Sequence, residues 1–300
     1  MSYGLIGDLI AGLPLLTYYE KKYPGSYKYW VIQKKCAFTA PLFLNHPLID
    51  RIKITDHWND MGEEDKKIRS SCDITTRFED WSHSDSYWYN KVSFIEETAF
   101  VAGIDIGDLN STLSSSEKKP KLKKWFDVGL DDPTAHTYTK TRNSDLSIFE
   151  NSVGIWPFGQ GAGPGRNPEN SWWSSLISLL VESGINVFHF GKSDDPVLSN
   201  KEGYNNMTYL NFFDQVKACL ATNVTLGVDT GPMWVMGAYS HPAIHLVTNY
   251  LPNHSTNLLC LNPVNDNAET IFVKNTNFQG CNRKELIPVV EQKILAKVNK

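Results

Sequence analysis

The segment "GVDTGPMW", Gly227 to Trp234, holds Asp-Thr-Gly, the tripeptide that presents the catalytic carboxylate of aspartic proteases. That chemistry needs two aspartates sharing one proton, on an all-β scaffold. Here the tripeptide occurs once, Pro232 follows it, and a β-branched run, "VTLGVD", leads into a helix-like run, "PMWVMGAYS". A strand turning into a helix suits different chemistry. Pro232 fits the first helical turn, Gly231 admits close approach to the backbone, and the unsatisfied N–H groups of that turn attract an anion. The segment reads as an anion-binding turn built from Asp229, Thr230, Gly231 and the amide of Met233. A plain helix cap by Asp229 or Thr230 is the structural alternative.

A second glycine-rich turn, "PFGQGAGPGRNP", follows the run "SVGIWPF". The dinucleotide pattern GxGxxG does not fit it: counted from Gly159 the third glycine position is Pro164, and counted from Gly161 it is Arg166. Likewise "FGKS" at Phe190 to Ser193 has the end of a P-loop, but Asn186 stands where its first glycine is required. What remains is a loop through Gly159 and Gly161 carrying Arg166, whose guanidinium can meet a phosphate bidentately. Its alternative is an ordinary surface loop. Lys192 is a second cation, either a phosphate partner or a solvated lysine. At the front of the chain, Gly7 and Asp8 open a helix, where a carboxylate either complements the helix dipole or takes a proton from a substrate.

Positioning these residues falls to a repeating α/β pattern. Apolar spacing predicts a helix over 8–23, strands over 27–33 and 51–55 with a short helix between them, and a helix over 89–104. The tract 107–151 has the weakest periodicity and reads as a surface connection. Beyond it come strands over 152–158, 185–191, 206–211, 224–229 and 242–248, interleaved with helices over 169–184, 212–223 and 232–240, and a final helix over 283–298. Strands alternating with helices predict parallel sheets. The expected domains are 1–140, 141–282 and the helix 283–300.

Composition narrows the function. With 300 residues, 41% hydrophobic and nine Trp, the chain has ample core to fold as globular domains. A net charge of -4 supplies no basic face for a polyanion, so no nucleic-acid partner is expected. Five cysteines without a CxxC argue against a zinc site or disulfide framework. The N-terminus lacks the basic region of a signal peptide and no run reaches a membrane span, so a cytoplasmic chain without transmembrane segment is expected.

Taken in order, Gly-x-x-Gly-Asp-Leu at Gly4 to Leu9, the Gly-rich loop with Arg166 before a Trp-bearing helix, and Gly-x-Asp-Thr-Gly-Pro-Met before an Ala-containing helix resemble glycosyltransferase family 9, the ADP-heptose:lipopolysaccharide heptosyltransferase family. The resemblance implies a GT-B fold, two Rossmann-like domains facing across a cleft, with a C-terminal helix that crosses back to pack on the first domain. It implies inverting, metal-independent sugar transfer from a nucleotide-diphosphate donor such as ADP-heptose to a glycan or lipopolysaccharide-type acceptor. No cofactor is implied, and peripheral membrane contact is compatible with a lipid-linked acceptor. Asp8 matches the family's general base, and Asp229, Thr230 and Gly231 match its diphosphate turn. Gly7, Gly159, Gly161, Arg166, Lys192 and Met233 complete the expected donor-binding set. Trp234 stands where the family commonly has His. The competing reading is a non-catalytic GT-B protein that binds nucleotide sugar or glycan.

Overall fold

The computed structural model describes residues 6–55, 63–75, 94–122, 146–159, 167–228, 230–248, 267–273 and 283–299. The chain divides into two compact units, Met1–Gly129 and Leu130–Lys300, and the division falls inside the weakly periodic tract.

In the first unit the opening helix is two helices, α1 (Ile6–Ala11) and α2 (Leu13–Lys22). Gly12 makes the break: its N–H donates to Asp8 O at 3.0 Å while its own carbonyl accepts from Leu15 N at 3.0 Å. Pro14 falls in the first turn of α2, where a missing N–H costs no helical bond. Leu9, Ile10, Leu13, Leu15 and Leu16 are buried, which sets the core-facing side of both helices. Strands β1 (Tyr29–Gln33) and β2 (Arg51–Thr55) pair in parallel from Tyr29↔Arg51 to Gln33↔Thr55. The segment between them is a run of 3-10 turns, Lys34–Phe43, rather than an α-helix. Helices α3 (Glu63–Ser70), α4 (Phe94–Val101) and α5 (Ile106–Thr112) follow.

Helix α5 corrects the expectation of a surface connection from Gly107. The Asp105 carboxylate caps it by accepting from Asp108 N at 2.9 Å. Asp108 in turn accepts from Tyr18 Oη at 2.5 Å and from Lys22 Nζ at 2.7 Å, tying α5 to α2. The Lys22 and Tyr18 hydrogen bonds hold the Asp108 carboxyl below the usual carboxylate range. The tract's polar composition hid a helix that Asp105 caps locally and that Tyr18 and Lys22 hold from far away in sequence.

The second unit is a six-stranded, all-parallel sheet: β3 (Ser152–Trp156), β4 (Asn186–His189), β5 (Tyr204–Asn206), β6 (Val224–Val228), β7 (Ala243–Thr248) and β8 (Ala268–Val273). Their spatial order is β5-β4-β3-β6-β7-β8. This is the doubly wound order, in which successive strands run outward from β3 and then from β6 the other way. Two strand expectations are corrected. The run 206–211 is turn beyond Asn206, the strand being Tyr204–Asn206, and β8 was not foreseen.

Alternating strand residues point to opposite faces. Val153, Ile155, Val187, Val224, Leu226, Val228, Ile244 and Leu246 build the core under α6 (Asn170–Glu182) and α9 (Ile287–Val298). On the other face Gly154 and Gly227 receive α7 (Phe212–Ala221) and α8 (Gly231–Ala238): a Cβ on Gly154 would lie 2.8 Å from Cys219 Sγ, and one on Gly227 2.7 Å from Met233 Sδ. The final helix contributes to the same core. Ile287, Val290, Ile294 and Val298 are buried in the second unit's own core, and Trp172 Nε1 donates to Arg283 O at 3.2 Å. Its apolar stripe packs into the core of the domain it follows in sequence.

Candidate functional site

The switch point of a doubly wound sheet lies between the strands where the order reverses, and ligands bind there, outside the carboxyl ends. In this domain those strands are β3 and β6, paired from Val153↔Val224 to Trp156↔Gly227. Beyond Trp156 lies the Gly159 turn, and beyond Val228 lies the turn to α8. Adjacent β4 ends at His189, just before Gly191 and Lys192. Thus Gly159, Lys192, Thr230, Gly231 and Met233 all follow the carboxyl ends of three neighbouring strands. Gly161, Arg166 and Asp229 lie outside the described residues.

At the β6 exit, Gly227 lets Met233 close onto the sheet, since a Cβ would also meet Trp156 O at 3.0 Å. Met233 is fully buried, and its N–H donates to Thr230 O at 3.1 Å, so this amide is engaged in the helix's own first turn. Pro232 brings no N–H to the turn. Thr230 has the extended backbone of an N-cap residue (φ -139°, ψ 156°) but does not cap with its side chain. Among the described residues its Oγ1 is buried and meets no hydrogen-bond partner. A hydroxyl that an N-cap threonine would use on its own helix is therefore not so used at a helix start, where the dipole favours an anion. Trp234 is buried, on the side of the helix that faces protein.

At the β3 exit, the Gly159 amide donates to Asn167 Oδ1 at 2.8 Å and its carbonyl accepts from Asn167 Nδ2 at 3.3 Å. Gly159 is thus tied to Asn167 through both its peptide groups, and its amide is occupied. Asn167 was not foreseen, although an Asn before Pro168 is a turn signal.

The β4 exit is held more tightly. The buried Gln215 side chain accepts from Gly191 N at 2.8 Å and donates to Gly191 O and Leu210 O, both at 2.8 Å. The Lys192 amide donates to Asp195 Oδ2 at 2.7 Å, and Asp195 N returns to Lys192 O at 3.0 Å. Burial pushes the Asp195 carboxyl up, an effect opposed by the bond from the Lys192 amide. Further along, Leu198 is fixed at both ends: its carbonyl accepts from Ser174 Oγ at 2.7 Å and its amide donates to Tyr204 Oη at 3.2 Å. Lys192 itself is exposed.

Gly7 and Asp8 belong to the first unit. Asp8 lies in the first turn of α1, half-buried, with Leu9, Ile10 and Ala11 packed behind it. Among the described residues no group of three or more His, Cys, Asp or Glu is placed to hold a metal ion. No described helix is long and apolar enough to cross a membrane.

Sheet order and turn chemistry define the second unit as a Rossmann-like domain with an anion-suited helix start at its switch point. The whole chain has the fold of the heptosyltransferases. It is similar to the structure of Escherichia coli ADP-heptose lipopolysaccharide heptosyltransferase II, with a TM-score of 0.67, 17% identity, and 99% of this chain and 96% of that one covered. It is similar also to a family 9 glycosyl transferase from Veillonella parvula (TM-score 0.64, 13% identity, 99% and 96% covered). The third is E. coli heptosyltransferase WaaC with ADP (TM-score 0.59, 13% identity, 99% and 100% covered). No protein-family model and no curated protein matches the sequence.

Proposed function

We propose that this protein is a glycosyltransferase of the heptosyltransferase kind, moving a sugar from a nucleotide-diphosphate donor to a glycan or lipopolysaccharide-type acceptor with inversion. The observation that carries the reading is the helix start at Thr230–Gly231. It stands at the switch point of a sheet whose surrounding chain follows the heptosyltransferase fold over 99% of its length. The donor diphosphate would sit against that helix start, with the Thr230 hydroxyl, the Gly231 amide, Arg166 and Lys192 as its partners. Met233 supports the turn from below. The two domains would face each other across a cleft, bringing Asp8 to the acceptor.

In this reading the Asp8 carboxylate takes the proton of the acceptor hydroxyl as its oxygen attacks the anomeric carbon. The bond from that carbon to the diphosphate oxygen breaks on the opposite side, which inverts the centre. The leaving nucleoside diphosphate gains negative charge, and the helix dipole and cations offset it without a metal.

A thermal-shift panel of ADP-, GDP-, UDP- and CDP-sugars should raise the melting temperature with one nucleobase, because a ligand stabilises the state that binds it. Donor turnover should then persist in EDTA and fall by about 100-fold or more in Asp8→Asn while donor binding is retained. Equal turnover in the variant would remove Asp8 from the chemistry, and binding without turnover in the wild type would favour a non-catalytic binding protein.

A further inference from the structure

The β4 and β6 exits offer an anion different chemistry. At β6 a helix starts with a buried hydroxyl that meets no partner among the described residues. At β4 both leading amides are already occupied, that of Gly191 by Gln215 Oε1 and that of Lys192 by Asp195 Oδ2. A phosphate reaching the β4 edge therefore meets no backbone nest at these two residues, and the Lys192 ammonium is the donor they present. How well that ammonium is aimed depends on the corner Gly191–Lys192.

The corner is over-determined by one side chain. Gln215 reads both peptide groups of Gly191, N–H and C=O, and with its second amide proton holds Leu210 O in the next loop of the same sheet edge. Its amide is oriented unambiguously, the oxygen toward a donor and the nitrogen toward two acceptors. Neither Glu, which would set a carboxylate against two carbonyls, nor an apolar isostere can repeat this pattern. The side chain is 4% exposed, so solvent does not replace the lost bonds. Gly191 is required as well: a Cβ there would collide with Asp195 Oδ2, the atom that anchors the Lys192 amide.

We infer that Gln215 is a positioning residue for diphosphate recognition, fixing the Gly191–Lys192 corner so that Lys192 contacts the phosphate that distinguishes a nucleoside diphosphate from its monophosphate. The inference rests on the donor-site reading above. It adds to that reading a division of labour: backbone and hydroxyl contacts at β6, one aimed cation at β4, and a buried amide that does the aiming.

The test is calorimetric titration of the full-length protein with ADP, GDP, UDP and CDP and their monophosphates. The wild type should bind one diphosphate more tightly than its monophosphate. Lys192→Ala should reduce diphosphate affinity about tenfold and leave monophosphate affinity nearly unchanged, the size of one charge-assisted contact. Gln215→Met should give the same selective loss, and the double variant no further loss. A Gln215→Met protein that melts lower but keeps the wild-type diphosphate preference, or losses that multiply in the double variant, would overturn the positioning role. If Gln215→Met does not fold, Gly191→Ala disturbs the same corner from outside the core, and an unchanged preference there overturns the inference equally. A wild type that binds none of the four diphosphates fails in a different way, and overturns the donor-site reading together with this one.

Discussion

The His189 imidazole and the Tyr204 hydroxyl are hydrogen-bonded at 2.7 Å, with His189 Nδ1 facing Tyr204 Oη across the β4–β5 pair. The Leu198 amide also donates to that oxygen, at 3.2 Å, so the three groups form one hydrogen-bonded chain. Burial pushes the His189 pKa down to about 4 from an ordinary 6.5. Above pH 6.5 the folded and unfolded chains are both neutral here and the interaction is intact. As pH falls from 6.5 toward 4 the unfolded chain takes up a proton that the folded chain refuses, so stability is lost across that window. The loss from this site should approach about 2–3 kcal/mol. Thermal melts from pH 7.5 to 4.5 should show a steeper fall for the wild type than for His189→Gln, whose amide can still accept from Tyr204. Parallel slopes would remove His189 as the cause.

The same chain of bonds explains which parts of the site were legible in the sequence. The turn at Thr230–Gly231 was readable because Gly, Pro and a β-branched run act locally, through backbone conformation. The doubly wound rhythm was readable for the same reason, since strand and helix periods are written in a dozen residues at a time. Gln215 was not, because its partner Gly191 is brought to it by the sheet order, and Asp195 and Asn167 were not, because their bonds to Lys192 and Gly159 depend on how each loop folds back on itself and follow no periodicity. Helix α9 shows the limit from the other side. Its apolar stripe at Ile287, Val290 and Ile294 announced that it packs, but periodicity does not say against which domain.

That packing makes the last helix a structural part of the second domain. Ile294 is fully buried among core residues of that domain, and Ile294→Ala should cost about 2–5 kcal/mol. By contrast Glu291, which accepts from Ser183 Oγ at 3.0 Å on the exposed side, should tolerate Ala with a change below about 1 kcal/mol. Chemical denaturation of the two variants separates these. A mild Ile294→Ala effect would show that the helix is dispensable to the domain it covers.

Gly154 and Gly227 are the sites where helices on the opposite face press directly on strands. A methyl group on Gly154 would lie 2.8 Å from Cys219 Sγ and 2.9 Å from Phe190 Cε2, both themselves buried. Gly154→Ala should therefore destabilise by about 1–3 kcal/mol through overpacking, although alanine is the better strand residue by backbone entropy. Pairing it with Cys219→Ala, which vacates the colliding sulfur, should restore part of the loss. Without recovery in the double variant, the Cys219 contact is not the origin of the cost.

Thr230 offers a prediction in which stability and binding move in opposite directions. Its buried Oγ1 meets no hydrogen-bond partner among the described residues, and leaving a hydroxyl in that state costs free energy. Thr230→Val keeps the β-branched shape and the extended backbone while removing the orphan group, so the melting temperature of the ligand-free variant should equal or exceed that of the wild type. If that hydroxyl is held for the donor, the same variant should bind the nucleoside diphosphate about tenfold more weakly, since a hydrogen bond to a charged phosphate is worth roughly 1.5–3 kcal/mol. Thr230→Ser keeps the hydroxyl and should keep the affinity. A Thr230→Val protein that is both less stable and unaltered in binding would show that the hydroxyl serves the fold, and the anion site at the start of α8 would then rest on its backbone alone.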